Sequence, residues 1–163
     1  MAPFTPVKTD ALTAIGNTPL VDVSILSPDP KIKLYGKLES VNPTGSVKDR
    51  AARSLVQTAE SEGLIKPGDT ILEPTSGNTG LGLAMIGRIK GYSVKVVMPA
   101  SVPPERVHLL EAFGAEVILS HKDKGTNESI LVAKQLAEEN PSYYMPYQYG
   151  NLANPKAHYT TTG

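Results

Sequence analysis

From Asp69 onward the sequence repeats one kind of unit, a short β-branched apolar run followed by a longer stretch of helical period. Thr70-Ile71-Leu72 precedes Asn78 to Lys90, Val94-Lys95-Val96-Val97-Met98 precedes Pro104 to Phe113, and Glu116-Val117-Ile118-Leu119 precedes Thr126 to Glu139. Apolar spacing switches between the two regimes each time. Strands separated by helices pair in parallel through crossovers, and crossovers are nearly always right-handed. The alternation therefore predicts an α/β fold, an open, mostly parallel sheet with helices on both faces in an αβα arrangement. Glycine punctuates the repeat: Gly63, Gly91 and Gly114 each stand just past a helical stretch and just before a strand, where a left-handed residue closes the last turn. Pro103-Pro104 opens a helix at the position where a missing amide hydrogen costs nothing.

Between Asp49 and Glu62, residues Ala51, Ala52, Leu55, Val56 and Ala59 form one apolar stripe, with Arg53, Gln57 and Glu60 outside it. This helix is expected to lie on the sheet with one face wet. The next helix carries Leu81, Leu83, Ala84, Met85, Ile86 and Ile89 around most of its circumference and should be the most buried. Upstream, Ile32 to Leu38 alternates apolar and polar residues, as a half-covered or edge strand does. The proline-rich segment 1–31 reads as short helix and extended chain packed on another layer. Late in the chain, Tyr143, Tyr144, Tyr147 and Tyr149 form an aromatic cluster read as packing against the sheet.

Composition narrows the function. The 163 residues are 40% hydrophobic and 20% charged, which suits a packed core rather than disorder. Lys and Arg number 16 against 16 Asp and Glu, so no charge excess points to a nucleic acid or an anionic membrane as partner. With 0 cysteines, disulfides, thiolate metal sites and a cysteine nucleophile are excluded. No apolar stretch reaches membrane-spanning length, and Met1 to Pro6 lacks the basic start and apolar run of a secretory signal, so a cytoplasmic protein is expected.

Two loops concentrate the chemistry. Thr75-Ser76-Gly77-Asn78-Thr79-Gly80 follows a strand and opens the buried helix, so its amides and hydroxyls converge on a helix N-terminus, where a carboxylate or phosphate is the natural guest; the same residues also serve as tight-turn and capping residues. The run Asn42-Pro43-Thr44-Gly45-Ser46-Val47-Lys48-Asp49-Arg50 places Lys48 in the first turn of a helix, with Ser46 as N-cap and Asp49 three residues on. A cation at the positive end of a helix dipole is disfavoured, and covalent chemistry with a carbonyl is one reason to keep a lysine there. Other readings lose support. There is no G-x-G-x-x-G at this turn and no Ser or Thr after the lysine, against dinucleotide and P-loop sites. His108, His121 and His158 lack metal-ligand spacing, and Ser76 sits in no G-x-S-x-G elbow.

Together these segments resemble the cysteine synthase family of fold-type II pyridoxal-phosphate (PLP) enzymes, which includes O-acetylserine and O-phosphoserine sulfhydrylases and cystathionine β-synthases. The resemblance runs through Ile15-Gly16-Asn17-Thr18-Pro19-Leu20, the Asn42 to Arg50 run, Glu73-Pro74-Thr75-Ser76-Gly77-Asn78-Thr79-Gly80, Phe113-Gly114-Ala115-Glu116 and Tyr147-Gln148-Tyr149-Gly150-Asn151. It implies that Lys48 carries pyridoxal 5'-phosphate as a covalent aldimine and, once freed, removes the substrate α-proton. It implies that Asn78 meets the cofactor's phenolic oxygen, and that Thr75, Ser76, Thr79 and Gln148 hold the substrate carboxylate, with no metal. The implied reaction is β-replacement on O-acetylserine or O-phosphoserine with sulfide to give L-cysteine. The implied partners are a small amino acid and a sulfur nucleophile, in a protein that is a homodimer when full length.

The family's glycine-rich phosphate cup and the group that meets its pyridine nitrogen come from a second half. Residues 1–163 are therefore expected to be the N-terminal portion of a two-domain enzyme: 1–41 an N-terminal segment and edge strand, 42–150 the strand-helix units, 151–163 the start of the second half. Such a piece should expose an apolar sheet face or edge. The Tyr147-Gln148-Tyr149 context and Pro103-Pro104 depart from the commonest family pattern and leave the leaving group open. A cystathionine β-synthase or amino-acid dehydratase of the same fold is the alternative within the class, and a non-catalytic amino-acid- or partner-binding module the alternative outside it.

Overall fold

The computed structural model describes residues 10–163; residues 1–9, with the signal-peptide reading and the start of the N-terminal segment, lie outside the described residues. Strands β3 (Thr70–Pro74), β4 (Ser93–Pro99), β5 (Ala115–Ser120) and β6 (Tyr143–Tyr144) form one sheet in the order β5-β4-β3-β6, every pairing parallel. In register, Ile71 stands beside Val94 and Tyr144, and Val94 beside Ala115. Helices α2 (Asn78–Lys90) and α3 (Pro104–Ala112) cover one face, and α4 (Gly125–Glu139) the other. The expected strand-helix units are present in the expected order, and Gly63, Gly91 and Gly114 adopt the left-handed φ values of 70°, 80° and 91°.

The order of the strands locates the site. From β3 the chain steps outward through β4 to β5, then returns to place β6 on the other side of β3. The carboxyl ends of β3 and β6 thus flank a topological switch point, where the diverging connections leave a crevice for a ligand in open parallel sheets. Thr75 to Gly80 leaves one of these ends and Tyr147-Gln148 follows the other.

The two faces carry separate cores. Ile71, Val94, Val96 and Met98 pack with Leu83 and Ile86 of α2 and Leu110 of α3, whereas Leu72 and Val97 pack with Ala133 of α4. Helix α2 is buried almost throughout, as its sequence predicts. It lies close on the sheet because Gly80 and Gly87, which face the strands, have no side chain: a Cβ on Gly87 would stand 2.4 Å from Val94, and one on Gly80 would stand 3.2 Å from Val96.

Helix α1 (Lys48–Ser61) departs from expectation. Its stripe Ala51, Ala52, Leu55, Val56 and Ala59 is buried, but it packs chiefly against α2 and the C-terminal helix α5 (Ala153–Ala157) instead of lying squarely on the sheet. The cause is the small-residue contact between the helices, where a Cβ on Gly82 would come within 2.9 Å of the Ala52 Cβ. The return segment encloses the remaining face: Ser54 Oγ donates to the Ala153 carbonyl at 2.8 Å, and the chain continues through a helical turn, His158–Thr162.

The expected edge strand is also different. Only Tyr35–Lys37 is extended (β2), and it pairs antiparallel with Leu20–Asp22 (β1) as a separate ribbon rather than as an edge of the main sheet. A short helical turn, Ala11–Ala14, precedes the ribbon, and Ile15 anchors that segment in the core. Exposed apolar residues cluster beside this ribbon, with Ile25 93% and Leu26 75% exposed, and in the C-terminal segment, with Tyr159 89% and Leu152 82% exposed, while helices cover both faces of the sheet. No helix among the described residues is long and apolar enough to cross a membrane.

Candidate active site

The loop before α1 is built around buried polar groups. Asn42 accepts the Gly16 amide at 2.8 Å and donates to the Ser46 carbonyl at 3.0 Å, so it ties the Ile15 to Leu20 segment to the lysine loop. Arg50, 2% exposed, donates Nε and Nη2 to the two carboxylate oxygens of Glu39, each at 2.8 Å. Its remaining hydrogen bonds reach Thr18 Oγ1 at 2.8 Å and the Thr161 carbonyl at 2.7 Å. The hydrogen bond from Arg50, ahead of those from Thr18 and Asn42, holds Glu39 at about 2, well below the usual carboxylate range. One guanidinium therefore joins the first motif, the second motif and the C-terminal turn.

The start of α1 corrects the Asp49 half of the capping expectation. Val47 flanks the helix without a side-chain cap, and Asp49 turns instead to Thr44, accepting its amide at 2.8 Å and its hydroxyl as well. Asp49 is fully buried, and two donors from one residue satisfy a buried carboxylate better than one amide would. Burial raises the Asp49 pKa, and the Thr44 bonds oppose that rise. Ser46 Oγ accepts the Lys48 amide at 3.2 Å. Lys48 is the first residue of α1, half-buried, with no polar partner for Nζ among the described residues.

The second loop leaves β3 at Pro74. The Thr75 amide continues the sheet pairing by donating to the Val97 carbonyl at 3.0 Å, and its hydroxyl accepts the Gly77 amide at 3.3 Å. No side chain caps α2, so its first amides face the loop unshielded. Asn78 is exposed, Ser76 half-buried, and Thr75 and Thr79 buried. Thr79 Oγ1 donates to Gln148 Oε1 at 2.6 Å, joining positions 69 residues apart. Arg106 of α3 donates Nη1 to the Ser76 carbonyl at 3.0 Å, and a cleft of about 240 Å³ opens there beside Asn78 and Leu81.

Gln148 itself is held by its backbone. Glu73 accepts the Tyr147 amide at 2.8 Å and the Gln148 amide at 3.0 Å, while Asn154 Nδ2 donates to the Gln148 carbonyl at 3.0 Å. Tyr147 has a positive φ of 53°. Among the tyrosines, Tyr144 and Tyr143 pack against opposite cores, as expected of sheet-facing aromatics.

Thus Thr79 and Gln148 are in direct contact, and Thr75, Ser76 and Asn78 share their loop. Lys48 reaches this group through its helix: its carbonyl lies 3.4 Å from where a Gly82 Cβ would stand, one turn along α2 from Asn78. Among the described residues Lys48 makes no hydrogen bond to Asn78, Thr75 or Ser76. Glu73, Thr44 with Asp49, Arg106 and Asn154 were not singled out by sequence reasoning. For Glu73 a signal existed, an acid following the buried-strand run Thr70-Ile71-Leu72, where side chains on both faces are normally apolar.

A half-buried lysine beside an uncapped helix start, at the switch point of a parallel sheet, defines a site suited to a carbonyl cofactor and an anionic substrate group. Residues 11–163 match the family described as pyridoxal-phosphate dependent enzyme, and the chain belongs to that family. Within it the chain's relatives include cysteine synthases. The chain is 51% identical over 148 residues to a probable cysteine synthase of Bacillus subtilis, covering 91% of this chain and 48% of that protein. Against the cysteine synthase of Staphylococcus aureus identity is 48% over 149 residues, with coverage of 91% and 48%. Among solved structures, the cysteine synthase of Entamoeba histolytica superposes with a TM-score of 0.89 at 39% identity, over 97% of this chain and 48% of that one. An O-ureido-L-serine synthase superposes with a TM-score of 0.90 at 42% identity, over 96% and 49%. The chain spans about half the length of the relatives it matches.

Proposed function

We propose that this chain carries the reactive amine and the amino-acid carboxylate site of a PLP-dependent cysteine synthase, which replaces the β-substituent of O-acetylserine or O-phosphoserine with sulfide to give L-cysteine. One observation carries the reading above the others: the Lys48 turn is packed on the same helix whose uncapped start holds Thr79 against Gln148. The donor set fits the cofactor. Lys48 Nζ has no competing polar partner among the described residues, and Asn78 is exposed at a helix start.

In this reading Thr75, Ser76, Thr79 and Gln148, with the first amides of α2, hold the substrate carboxylate. Asn78 donates to the cofactor's phenolic oxygen, and Lys48 Nζ is the point of attachment. Bound pyridoxal phosphate supplies an electron sink for negative charge at the substrate Cα. Lys48 removes the proton from Cα, the β-substituent leaves, and the sulfur nucleophile adds at Cβ. Fixing the carboxylate on a rigid helix start sets the angle at which the Cα–H bond meets Lys48, a positioning effect independent of any proton affinity. The protein is read as a cytoplasmic homodimer acting on a small amino acid and a sulfur nucleophile, with no nucleic acid or membrane partner.

The test is cysteine formation from sulfide with O-acetylserine and with O-phosphoserine, run beside cystathionine formation with homocysteine and product analysis for O-ureido-L-serine, the compound in a structural neighbour's name. Cysteine as the main product supports the reading, and K48A should then lower turnover by ~10³-fold or more. Faster turnover with homocysteine, or full activity in K48A, contradicts it.

A further inference from the structure

Among the buried ionisable groups that the mechanism leaves unused is Glu73 on β3. It is 0% exposed and has no cationic partner among the described residues. It accepts the two successive amides of Tyr147 and Gln148, which lie 74 and 75 positions away, and the Gln148 side chain also hydrogen-bonds to it. As a contributor to stability alone this is a poor arrangement. Burial pushes the Glu73 pKa up to about 7 even though both amide bonds pull it down, so the cost of desolvation exceeds the gain from the hydrogen bonds.

The arrangement makes sense as a fixture for the turn after β6. That turn contains Tyr147 at a φ of 53°, a conformation few residues with a side chain adopt. Gln148 is then held at three points: its amide by Glu73, its carbonyl by Asn154 and its side chain by Thr79. Glu73 stands one residue before Pro74 at the carboxyl end of β3, so it joins the two strand ends that flank the switch point.

We propose that Glu73 is a positioning residue for the carboxylate site: by accepting both the Tyr147 and the Gln148 amides it fixes the turn that holds Gln148 against Thr79. The assignment of that site to a substrate carboxylate rests on the function proposed above, whereas the clamp itself does not.

The variant Glu73→Gln keeps the shape and removes the charge, and its NH2 group then faces one of the two amides. In the holoenzyme, at a pH above about 7 where Glu73 is ionised, residue-resolved amide hydrogen exchange should show the Tyr147 and Gln148 amides exchanging about ten-fold or more faster in E73Q than in wild type, because hydrogen bonds to a charged acceptor are the stronger ones. In steady-state kinetics KM for O-acetylserine should rise about ten-fold while kcat stays within about three-fold and KM for sulfide is unchanged, the pattern of lost binding rather than lost chemistry. A lower Tm with unchanged KM would make Glu73 merely structural and overturn the proposal. Should E73Q fail to fold, wild type decides: Tyr147 and Gln148 amides that exchange as fast as the Tyr149 amide, which has no partner among the described residues, also overturn it. Absence of any cysteine synthase activity in wild type would sink the functional reading, while the exchange data would still decide the clamp.

Discussion

Thr44 donates both its amide and its hydroxyl to the carboxylate of Asp49, and Lys48 stands one residue before that buried acid. The bend of the Thr44 to Val47 loop, and with it the direction in which α1 starts, depends on this pair. Thr44→Val removes the hydroxyl donor and leaves a fully buried carboxylate with one partner, a loss of about 1–3 kcal/mol. Urea denaturation should show a lower midpoint at an unchanged slope. An unchanged midpoint would mean that the loop is held by something else.

Gly82 lets α1 approach α2. Gly82→Ala gains about 1 kcal/mol in helix propensity, yet its new Cβ would stand 2.9 Å from the Ala52 Cβ, and neither atom can rotate away. Overpacking of this kind costs about 1–3 kcal/mol, so net destabilisation is expected. Combining it with Ala52→Gly should recover part of the loss, a coupling that a double-mutant cycle in denaturation experiments reads directly.

Arg50, buried, and Glu39, half-buried, form a bidentate pair. Arg50→Met leaves the half-buried Glu39 without its main partner and should cost about 1.5–3 kcal/mol, whereas the R50M/E39L double variant should be less destabilised than R50M alone. The sign with pH follows from the depressed pKa. Glu39 contributes stability above its ordinary value of 4.5, and that contribution is lost as pH falls toward about 2. In R50M that acid limb of the stability curve should flatten.

Glu73 has the opposite sign. Its folded-state pKa is raised from 4.5 to about 7, so the folded protein binds a proton that the unfolded chain releases, and stability falls as pH rises through that window. The full difference corresponds to about 3 kcal/mol. Tyr144 and Tyr149, which sense its charge, have pKa values raised first by burial and stay neutral throughout. The stability of wild type relative to E73Q should therefore decline from pH 4.5 to 7, and a flat difference would contradict the burial of the charge.

Much of this was legible in the chain. Strand-helix periodicity and the glycines at 63, 91 and 114 gave the sheet and its order of units, because period and left-handed turns are local properties. The depth of α2 followed from its all-round apolar surface. Less legible were features set by pairs distant in sequence. Whether α1 rests on the sheet or on α2 depends on Ala52 meeting Gly82, and neither residue signals it alone. The short β6 is only Tyr143–Tyr144 and has no periodicity to read. Asp49 looked like one half of a capping box because local spacing allows it, but burial turned it to Thr44. The site loops were recognisable from their donors, whereas Glu73 and Asn154, which hold Gln148, act through backbone groups that leave no spacing pattern.

The proposed function rests above all on Lys48, the first residue of α1, as the point of cofactor attachment. Incubating the holoprotein with excess pyridoxal phosphate, reducing it with borohydride and mapping the modified peptides by mass spectrometry tests this most directly. One pyridoxyl label is expected, on Lys48, lost in K48A. A label on another lysine, or a stably folded protein that takes up no label and no yellow colour, would contradict it.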